Sequence, residues 1–158
     1  MDGSKNESSI FAGGDIFEQR ELLRVGHVPD IDRIVGRDEE ISAVGRALGP
    51  GTRGSPPETT IIYGKTGTGK SLVTRCVSRQ AQREANSHDT NFRFAYVDCS
   101  DYQSDAKASR EMARQLSDSL GADKNIPRVG IGAADYRDIT WELLDEHDVD
   151  VFVILLDE

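Results

Sequence analysis

The sequence is poor in cysteine and aromatic residues and has no long apolar stretch. Its 158 residues include two cysteines, Cys76 and Cys99, which have neither metal-ligand spacing nor a secretory context. No run of about 18 or more apolar residues is present, and the first residues, MDGSKNE, lack the basic region and apolar core of a signal peptide. These absences exclude a disulfide-rich or membrane-spanning domain. We expect a soluble cytoplasmic protein with one ordinary domain and both thiols buried and reduced.

Basic residues are also scarce, because 19 Lys and Arg stand against 28 Asp and Glu and give a net charge of −9. Nucleic-acid binding needs a basic footprint, so this charge argues superficially against such a partner. The acidic residues are spread over the whole chain, and arginine greatly outnumbers lysine. This composition is typical of halophilic proteins, including those that bind DNA, although an ordinary acidic cytoplasmic protein is the alternative. Charge bears on solubility and leaves the partner open.

One glycine-rich segment fits a known chemical pattern over its whole length. Residues 64–71, GKTGTGKS, fill every fixed position of the phosphate-loop pattern G-x-x-x-x-G-K-[ST]. The run TTIIY at 59–63 predicts a short buried strand before it, and a helical pattern begins at Leu72. Strand, loop and helix therefore follow in the required order, which favours a nucleotide site over a chance glycine-rich turn.

The residue types of the loop suit phosphate chemistry. Its glycines admit backbone conformations that let successive N–H groups surround phosphate oxygens, and the helix N-terminus adds its positive dipole end. Lys70 can reach the β- and γ-phosphates, and the Ser71 hydroxyl can ligate Mg²⁺. The predicted cofactors are ATP or ADP with Mg²⁺. The predicted nucleotide-binding residues of this segment are Gly64, Lys65, Thr66, Gly67, Thr68, Gly69, Lys70, Ser71 and Leu72.

The rest of the chain alternates between helical and strand patterns. Residues 1–9 are predicted to be disordered and residues 49–58 to form a flexible connector. Ser104 is a predicted helix cap, Gly121 a predicted helix end, and Trp141 a predicted core residue. Helices are predicted at 16–23, 38–48, 70–84, 104–121 and 135–147. Strands are predicted at 59–63, 92–99 and 151–156, and the last of them, an apolar run of six, is expected to be fully buried. Such alternation requires a parallel sheet flanked by helices, the α/β fold of a P-loop NTPase.

A second candidate site lies at the end of the last predicted strand, where the apolar run closes with Asp157-Glu158. Ligands of parallel α/β sheets bind at the carboxyl ends of the strands, so Asp157 is expected to emerge beside Ser71 and hold Mg²⁺, directly or through water. Glu158 is expected to orient and deprotonate the attacking water, which makes Lys70 and Glu158 the predicted catalytic residues. A strand that simply ends in solvated acids is the alternative.

Other charged residues give weaker signals. Arg75, Arg79 and Arg83 recur every four residues after the loop, and we expect them to form a solvated helix face. His27 and two further histidines are scattered, so capping or solvated roles are favoured over metal or catalytic ones.

Together these motifs resemble a known family. From about Ile10 to Glu158, the chain resembles the ATPase portion of the archaeal replication initiators related to origin recognition complex subunit one and cell division control protein six, which belong to the AAA+ class. The segments that carry the resemblance are 28–40, 63–70, 97–100, 126–130 and 156–158. The chain departs from the family at Asp98, where asparagine is more usual.

The resemblance implies further site residues and an incomplete domain. Val28, Pro29 and the segment to Arg37 are implied to lie over the adenine. In this class a strand that follows the acidic pair in sequence is inserted between the two site-bearing strands, and a lid and a winged-helix domain follow. We therefore expect residues 10–158 to be the N-terminal part of an AAA+ domain, truncated after the acidic strand, with a gap whose backbone groups are unpaired.

The leading functional hypothesis is an ATP-binding AAA+ replication initiator. The implied partners are duplex DNA at replication origins, held by the missing C-terminal domain, and other initiator subunits. One alternative is a signalling or transcription-regulating P-loop NTPase. Another is a non-catalytic relic that at most binds nucleotide or a paralogue.

Overall fold

A computed structural model describes residues 27–101 and 104–157, so the predicted helix at 16–23, the N-terminal segment 1–9 and Glu158 lie outside the described residues. The helices are α1 (Asp38–Leu48), α2 (Lys70–Ser87), α3 (Asp105–Leu120) and α4 (Ala133–Glu146), and the strands are β1 (Phe92–Asp98) and β2 (Val151–Asp157). Short 3₁₀ helices occur at Ile31–Arg33, Gly49–Arg53 and Cys99–Asp101. Within the described ranges, no helix combines the length and apolar character needed to cross a membrane.

The two strands pair in parallel, as the sequence predicted. Their register runs from Phe92 opposite Val151 to Asp98 opposite Asp157, and α3 and α4 form the connection between them. Asn91 fixes the entrance to the pair, since its side-chain amide donates to the carbonyl of His147 at 2.8 Å. The two acidic strand ends therefore lie at the same edge of the sheet.

The core joins α1 and α2 to the beginnings of both strands. In α1, the apolar residues repeat every three or four positions, which gives the helix one buried face. The main cluster of buried residues comprises Val44, Leu48, Val73, Val77, Ala81, Ala85, Phe92 and Val151. On the other helical pair, Leu116 of α3 and Leu143 of α4 are fully buried.

Local signals placed the ends of α3 correctly. The Ser104 side chain accepts a hydrogen bond from the backbone N–H of Lys107, and Gly121 ends the helix in a left-handed conformation with φ of 65°. Helix α2 runs to Ser87, three residues beyond its predicted end at 84.

The prediction of a buried strand at 59–63 is wrong. This segment has no strand assignment, and the side chains of Ile61 and Tyr63 are 86% and 91% exposed. Prediction of a fully buried β2 is also wrong, because Ile154 and Leu156 are 44% and 67% exposed. Both errors have one cause. Within the described residues β1 is the only strand paired with β2, and a cleft of about 260 Å³ separates β2 from residues 57–62.

Two further side-chain predictions are wrong. Trp141 is 65% exposed, because the buried face of α4 is formed by Tyr136, Thr140 and Leu143 and position 141 is rotated about 100° from Thr140. Cys99 is only half-buried, whereas Cys76 is buried as expected, and both thiols are free.

The predicted flexible connector at 49–58 begins instead as a packed 3₁₀ helix. Gly51 and Thr52 are buried there, between α1 and the start of the sheet. A Cβ atom at Gly51 would lie 2.9 Å from Phe92 Cε2 and 2.9 Å from Pro57 Cγ, so the backbone approaches both rings too closely for any side chain.

We expect Gly51→Ala to lower the free energy of unfolding by about 1 to 3 kcal/mol, because the added methyl group would displace both rings. Gly45→Ala is the matched control, since Gly45 lies in α1 with nothing within 4 Å of its Cβ position. That change should stabilise the helix by up to about 1 kcal/mol. Urea unfolding measures both, and equal effects of the two substitutions would contradict the packing described.

Candidate nucleotide-binding site

The loop at 64–71 has backbone conformations that only glycine adopts without strain. Gly64, Gly67 and Gly69 have φ angles of 154°, 79° and 84°, which lie in the region that residues with a side chain rarely adopt. Gly69 is the N-terminal cap of α2, and the helix begins at Lys70. The free N–H groups of the first turn of α2 therefore adjoin the loop, in the arrangement that attracts an anion.

Lys70 lies across this loop. Its Nζ atom donates to the carbonyl oxygens of Gly64 at 3.0 Å and Lys65 at 3.1 Å, and the Thr68 hydroxyl donates to the Lys65 carbonyl at 2.8 Å. The side chains of Lys65 and Thr66 are exposed, as is that of Leu72. The positive charge is thus held over the backbone that the sequence assigned to phosphate.

The acidic end of β2 and the start of α2 border one cleft. This cleft has a volume of about 140 Å³, and the residues that line it include Lys70, Ser71, Tyr96 and Asp157. The predicted ligand pair Ser71 and Asp157 is therefore brought to one place by two elements that are far apart in sequence. Glu158 lies outside the described residues.

Tyr96 contacts the acidic end of β2 directly. Its hydroxyl donates to Asp157 Oδ2 at 2.6 Å, and the Arg75 guanidinium lies over its ring, 4.6 Å from the centroid. Burial, reinforced by the hydrogen bond to the Asp157 carboxylate, raises the pKa of Tyr96 to about 12. The hydroxyl therefore stays protonated and able to donate throughout the neutral range.

The donor set of this cleft fits Mg²⁺. A carboxylate and a hydroxyl are hard oxygen ligands, and Mg²⁺ usually binds through one or two protein groups together with phosphate oxygens and waters. No cluster of three or more His, Cys, Asp or Glu side chains suited to a metal occurs among the residues that the structure describes.

A second cleft, of about 90 Å³, lies on the other side of the loop. Arg37, Val44, Tyr63 and Lys70 are among the residues that line it. Arg37 forms an ion pair with Glu40 at 2.8 Å. The pKa of Glu40 is lowered, chiefly by a backbone hydrogen bond at the start of α1 and then by this arginine. Of the residues implied for adenine, Arg37 is thus beside the loop.

Val28 and Pro29, the other two residues implied for adenine, are attached to α2. The Val28 carbonyl accepts a hydrogen bond from Arg79 Nη1 at 2.8 Å, and the Pro29 carbonyl accepts one from the Cys76 thiol at 3.2 Å. Val28 itself is buried. The segment is therefore fixed along the helix that begins at the phosphate loop.

The expectation that the arginines after the loop form a solvated face is wrong for Arg75 and Arg79, which are half-buried, whereas Arg83 is exposed. Arg75 covers the ring of Tyr96, Arg79 binds the backbone of Val28, and Arg83 pairs with Asp30 at 3.0 Å. The regular spacing was visible in the sequence, but each partner lies more than 20 residues away, so the contacts could not be inferred. Tyr96 was missed for the same reason, since its neighbour Asp157 is 61 positions further on.

The parallel strands, the left-handed loop glycines and the helix that starts at Lys70 define an α/β phosphate-loop fold of the nucleotide-binding class. Residues 33–151 match the AAA ATPase domain family. The chain belongs to this AAA ATPase domain family.

Similar proteins narrow the relationship further. The chain is 40% identical to ORC1-type DNA replication proteins 4 and 2 of Halobacterium salinarum, each over 98% of its length. It is 41% identical to ORC1-type DNA replication protein 9 of Haloarcula marismortui over 92% of its length. These alignments cover 38%, 58% and 34% of the three relatives, so the chain spans between one third and three fifths of their lengths.

Solved structures agree with this relationship. The structure of the Aeropyrum pernix ORC1 protein in complex with DNA superposes with a TM-score of 0.74 at 25% identity, over 92% of this chain and 36% of that one. The Aeropyrum pernix ORC2 protein, solved as ADPNP and ADP complexes, superposes with a TM-score of 0.64 at 19% identity, over 88% of this chain and 35% of that one, and supports the fold alone.

Arg79→Ala should lower the free energy of unfolding by about 1 to 2 kcal/mol, because it leaves the carbonyl of the buried Val28 without its charged donor. Arg83→Ala is the control from the same helix. Its ion pair with Asp30 joins side chains that are 57% and 58% exposed, so its loss should cost less than about 0.5 kcal/mol. Thermal unfolding compares the variants, and a larger loss for Arg83→Ala would refute the anchoring role of Arg79.

Proposed function

We propose that this chain binds ATP together with Mg²⁺ and serves as the ATPase portion of a DNA replication initiator. The observation that carries the proposal is the meeting of two elements at one cleft. Lys70 and Ser71 begin α2, and Asp157 ends β2. A phosphate-binding loop and an acidic strand end are the parts that such nucleotide sites require.

The phosphates would be bound by the loop. Its N–H groups and the N-terminus of α2 attract the negative charge, and Lys70 would exchange the carbonyls of Gly64 and Lys65 for phosphate oxygens. The base would lie on the side of the loop that Arg37 lines, near the segment that includes Val28 and Pro29. The anchoring of that segment to α2 supports this, because it joins the base side and the phosphate side through one helix.

Ser71 and Asp157 would hold the metal ion. When bound, Mg²⁺ neutralises charge on the phosphate oxygens and fixes their geometry. Glu158 follows Asp157 directly in sequence, and we assign to it the orientation and deprotonation of the attacking water.

The relationship to ORC1-type proteins supports the initiator assignment over a signalling or transcription-regulating NTPase. Relatives at about 40% identity are replication proteins, and a structurally similar Aeropyrum ORC1 protein was solved with DNA. We infer that duplex DNA at replication origins and other initiator subunits are the partners of the whole assembly. The acidic net charge of −9 is typical of halophilic proteins, and similar proteins occur in Halobacterium and Haloarcula.

Lys70→Ala should weaken ATP binding about 10- to 100-fold, because the hydrogen bonds of the ammonium group to charged phosphate oxygens are lost and these are stronger than the bonds to the loop carbonyls that they replace. Calorimetric titration of the full chain with ATP and Mg²⁺, in molar potassium chloride, measures the affinity. Lys107→Ala, at an exposed position on α3, is the matched control and should bind like the unaltered chain. If the unaltered chain fails to bind ATP, or Lys70→Ala binds equally well, the proposed site is wrong.

The initiator assignment has its own test. Crosslinking followed by immunoprecipitation of a tagged chain from a haloarchaeal host should recover other initiator subunits and, through them, DNA at replication origins, and Lys70→Ala should reduce that enrichment several-fold. Enrichment at promoters would favour the transcription-regulating alternative. An unchanged pattern with Lys70→Ala would mean that nucleotide binding has no part in the function.

A further inference from the structure

Both the side chain and the backbone of Tyr96 are fixed by contacts with neighbouring elements. Its hydroxyl donates to Asp157, and its ring lies beneath the Arg75 guanidinium. Its backbone is fixed as well, because the N–H donates to Gln115 Oε1 at 2.8 Å and the carbonyl accepts from Gln115 Nε2 at 2.5 Å. Four contacts from three different elements therefore determine where this side chain lies.

The register of the sheet explains why Tyr96 can reach Asp157. Tyr96 is paired with Leu155, so Asp157 is two residues further along β2 and its side chain leaves the sheet on the same face. Asp98 lies directly opposite Asp157, but its carboxylate accepts hydrogen bonds from the backbone and hydroxyl of Ser100 instead. Of the two β1 side chains beside Asp157, Tyr96 is therefore the one that binds its carboxylate.

Arg75 connects this contact to the phosphate loop. It lies four residues after Ser71 on α2, so the two side chains share a face of the helix. The guanidinium over the Tyr96 ring is a cation–π contact, which fixes the ring relative to α2. Through its ring contact with Arg75 and its hydrogen bond to Asp157, Tyr96 joins the helix that carries Ser71 to the strand that carries Asp157. This link lies beside a cleft between β2 and the segment that leads into the loop, which no strand fills within the described residues.

We propose that Tyr96 is a positioning residue that turns the Asp157 carboxylate toward Ser71 and thereby sets the affinity of the site for nucleotide-bound Mg²⁺. The inference rests on the proposed nucleotide function. A carboxylate at the last position of a strand can rotate about its side-chain bonds, and a hydrogen bond to one oxygen restricts that rotation before the ligand arrives. Removal of a group that orients a metal ligand through a hydrogen bond typically lowers the metal affinity by about 10- to 100-fold.

Tyr96→Phe in the full chain tests the inference, because it removes the hydroxyl and keeps the ring beneath Arg75. ATP affinity is measured by calorimetry twice, once with Mg²⁺ and once with a chelator. We expect the affinity without Mg²⁺ to stay within about twofold of the unaltered chain, and the strengthening by Mg²⁺ to fall by about 10-fold or more. A purely structural hydroxyl would leave the strengthening unchanged.

Three further variants make the test specific. Tyr136→Phe removes a comparable hydrogen bond, from the tyrosine hydroxyl to the Pro127 carbonyl at 2.8 Å, on α4, and should leave the Mg²⁺ effect intact. Asp157→Asn should abolish most of the Mg²⁺ effect by itself. Adding Tyr96→Phe to it should then cause little further loss, because the hydroxyl acts through that carboxylate.

The outcomes separate this inference from the proposed function. If the unaltered chain binds ATP more tightly with Mg²⁺ and Tyr96→Phe behaves identically, the positioning role is refuted while the nucleotide site stands. If the unaltered chain binds no nucleotide under either condition, the proposed function fails and the inference fails with it. Additive losses in the double variant would also overturn the inference, since they would mean that Tyr96 acts independently of Asp157.

Discussion

The parallel pairing of β1 with β2 is the constraint on which the site depends. Parallel strands point the same way, so Asp98 and Asp157 end at one edge, and that edge faces the start of α2. A parallel pair also needs a long crossover, which α3 and α4 provide. The side-chain amide of Asn91 bonds to the chain just before β2 and so helps to fix the register of the two strands. That register places Asp98, seven residues after Asn91, opposite Asp157.

Helix α2 is the element to which the other parts of the site attach. Its first turn continues the phosphate loop, Arg79 and Cys76 bind the backbone of residues 28 and 29, and Arg75 contacts the ring that bonds to β2. The clefts on both sides of the loop and the acidic end of β2 are thereby positioned relative to this one helix. Errors in the placement of any of these parts would otherwise accumulate through loops, which are more mobile than the elements they connect.

Features governed by near neighbours in sequence were predictable, and features governed by distant partners were not. The glycine pattern fixed the loop, and Ser104 and Gly121 fixed the ends of α3, because each acts within a few residues. Whether residues 59–63 pair as a strand depends on a neighbouring strand, and an apolar pattern alone cannot supply one. For the same reason the exposure of Trp141 and the contacts of the arginines on α2 escaped sequence reasoning, since burial follows from what packs against a helix face.

The carbonyl oxygens of the loop compete with phosphate oxygens for the amine of Lys70 in the proposed site. The amine donates to the carbonyls of Gly64 and Lys65, so the proposed binding of phosphate would exchange one set of acceptors for another. Neutral carbonyl oxygens are weaker acceptors for an ammonium group than charged phosphate oxygens. A nucleoside without phosphates offers nothing that would displace them, whereas a triphosphate does. With the proposed nucleotide function, the loop would therefore select for the negative charge of the phosphates.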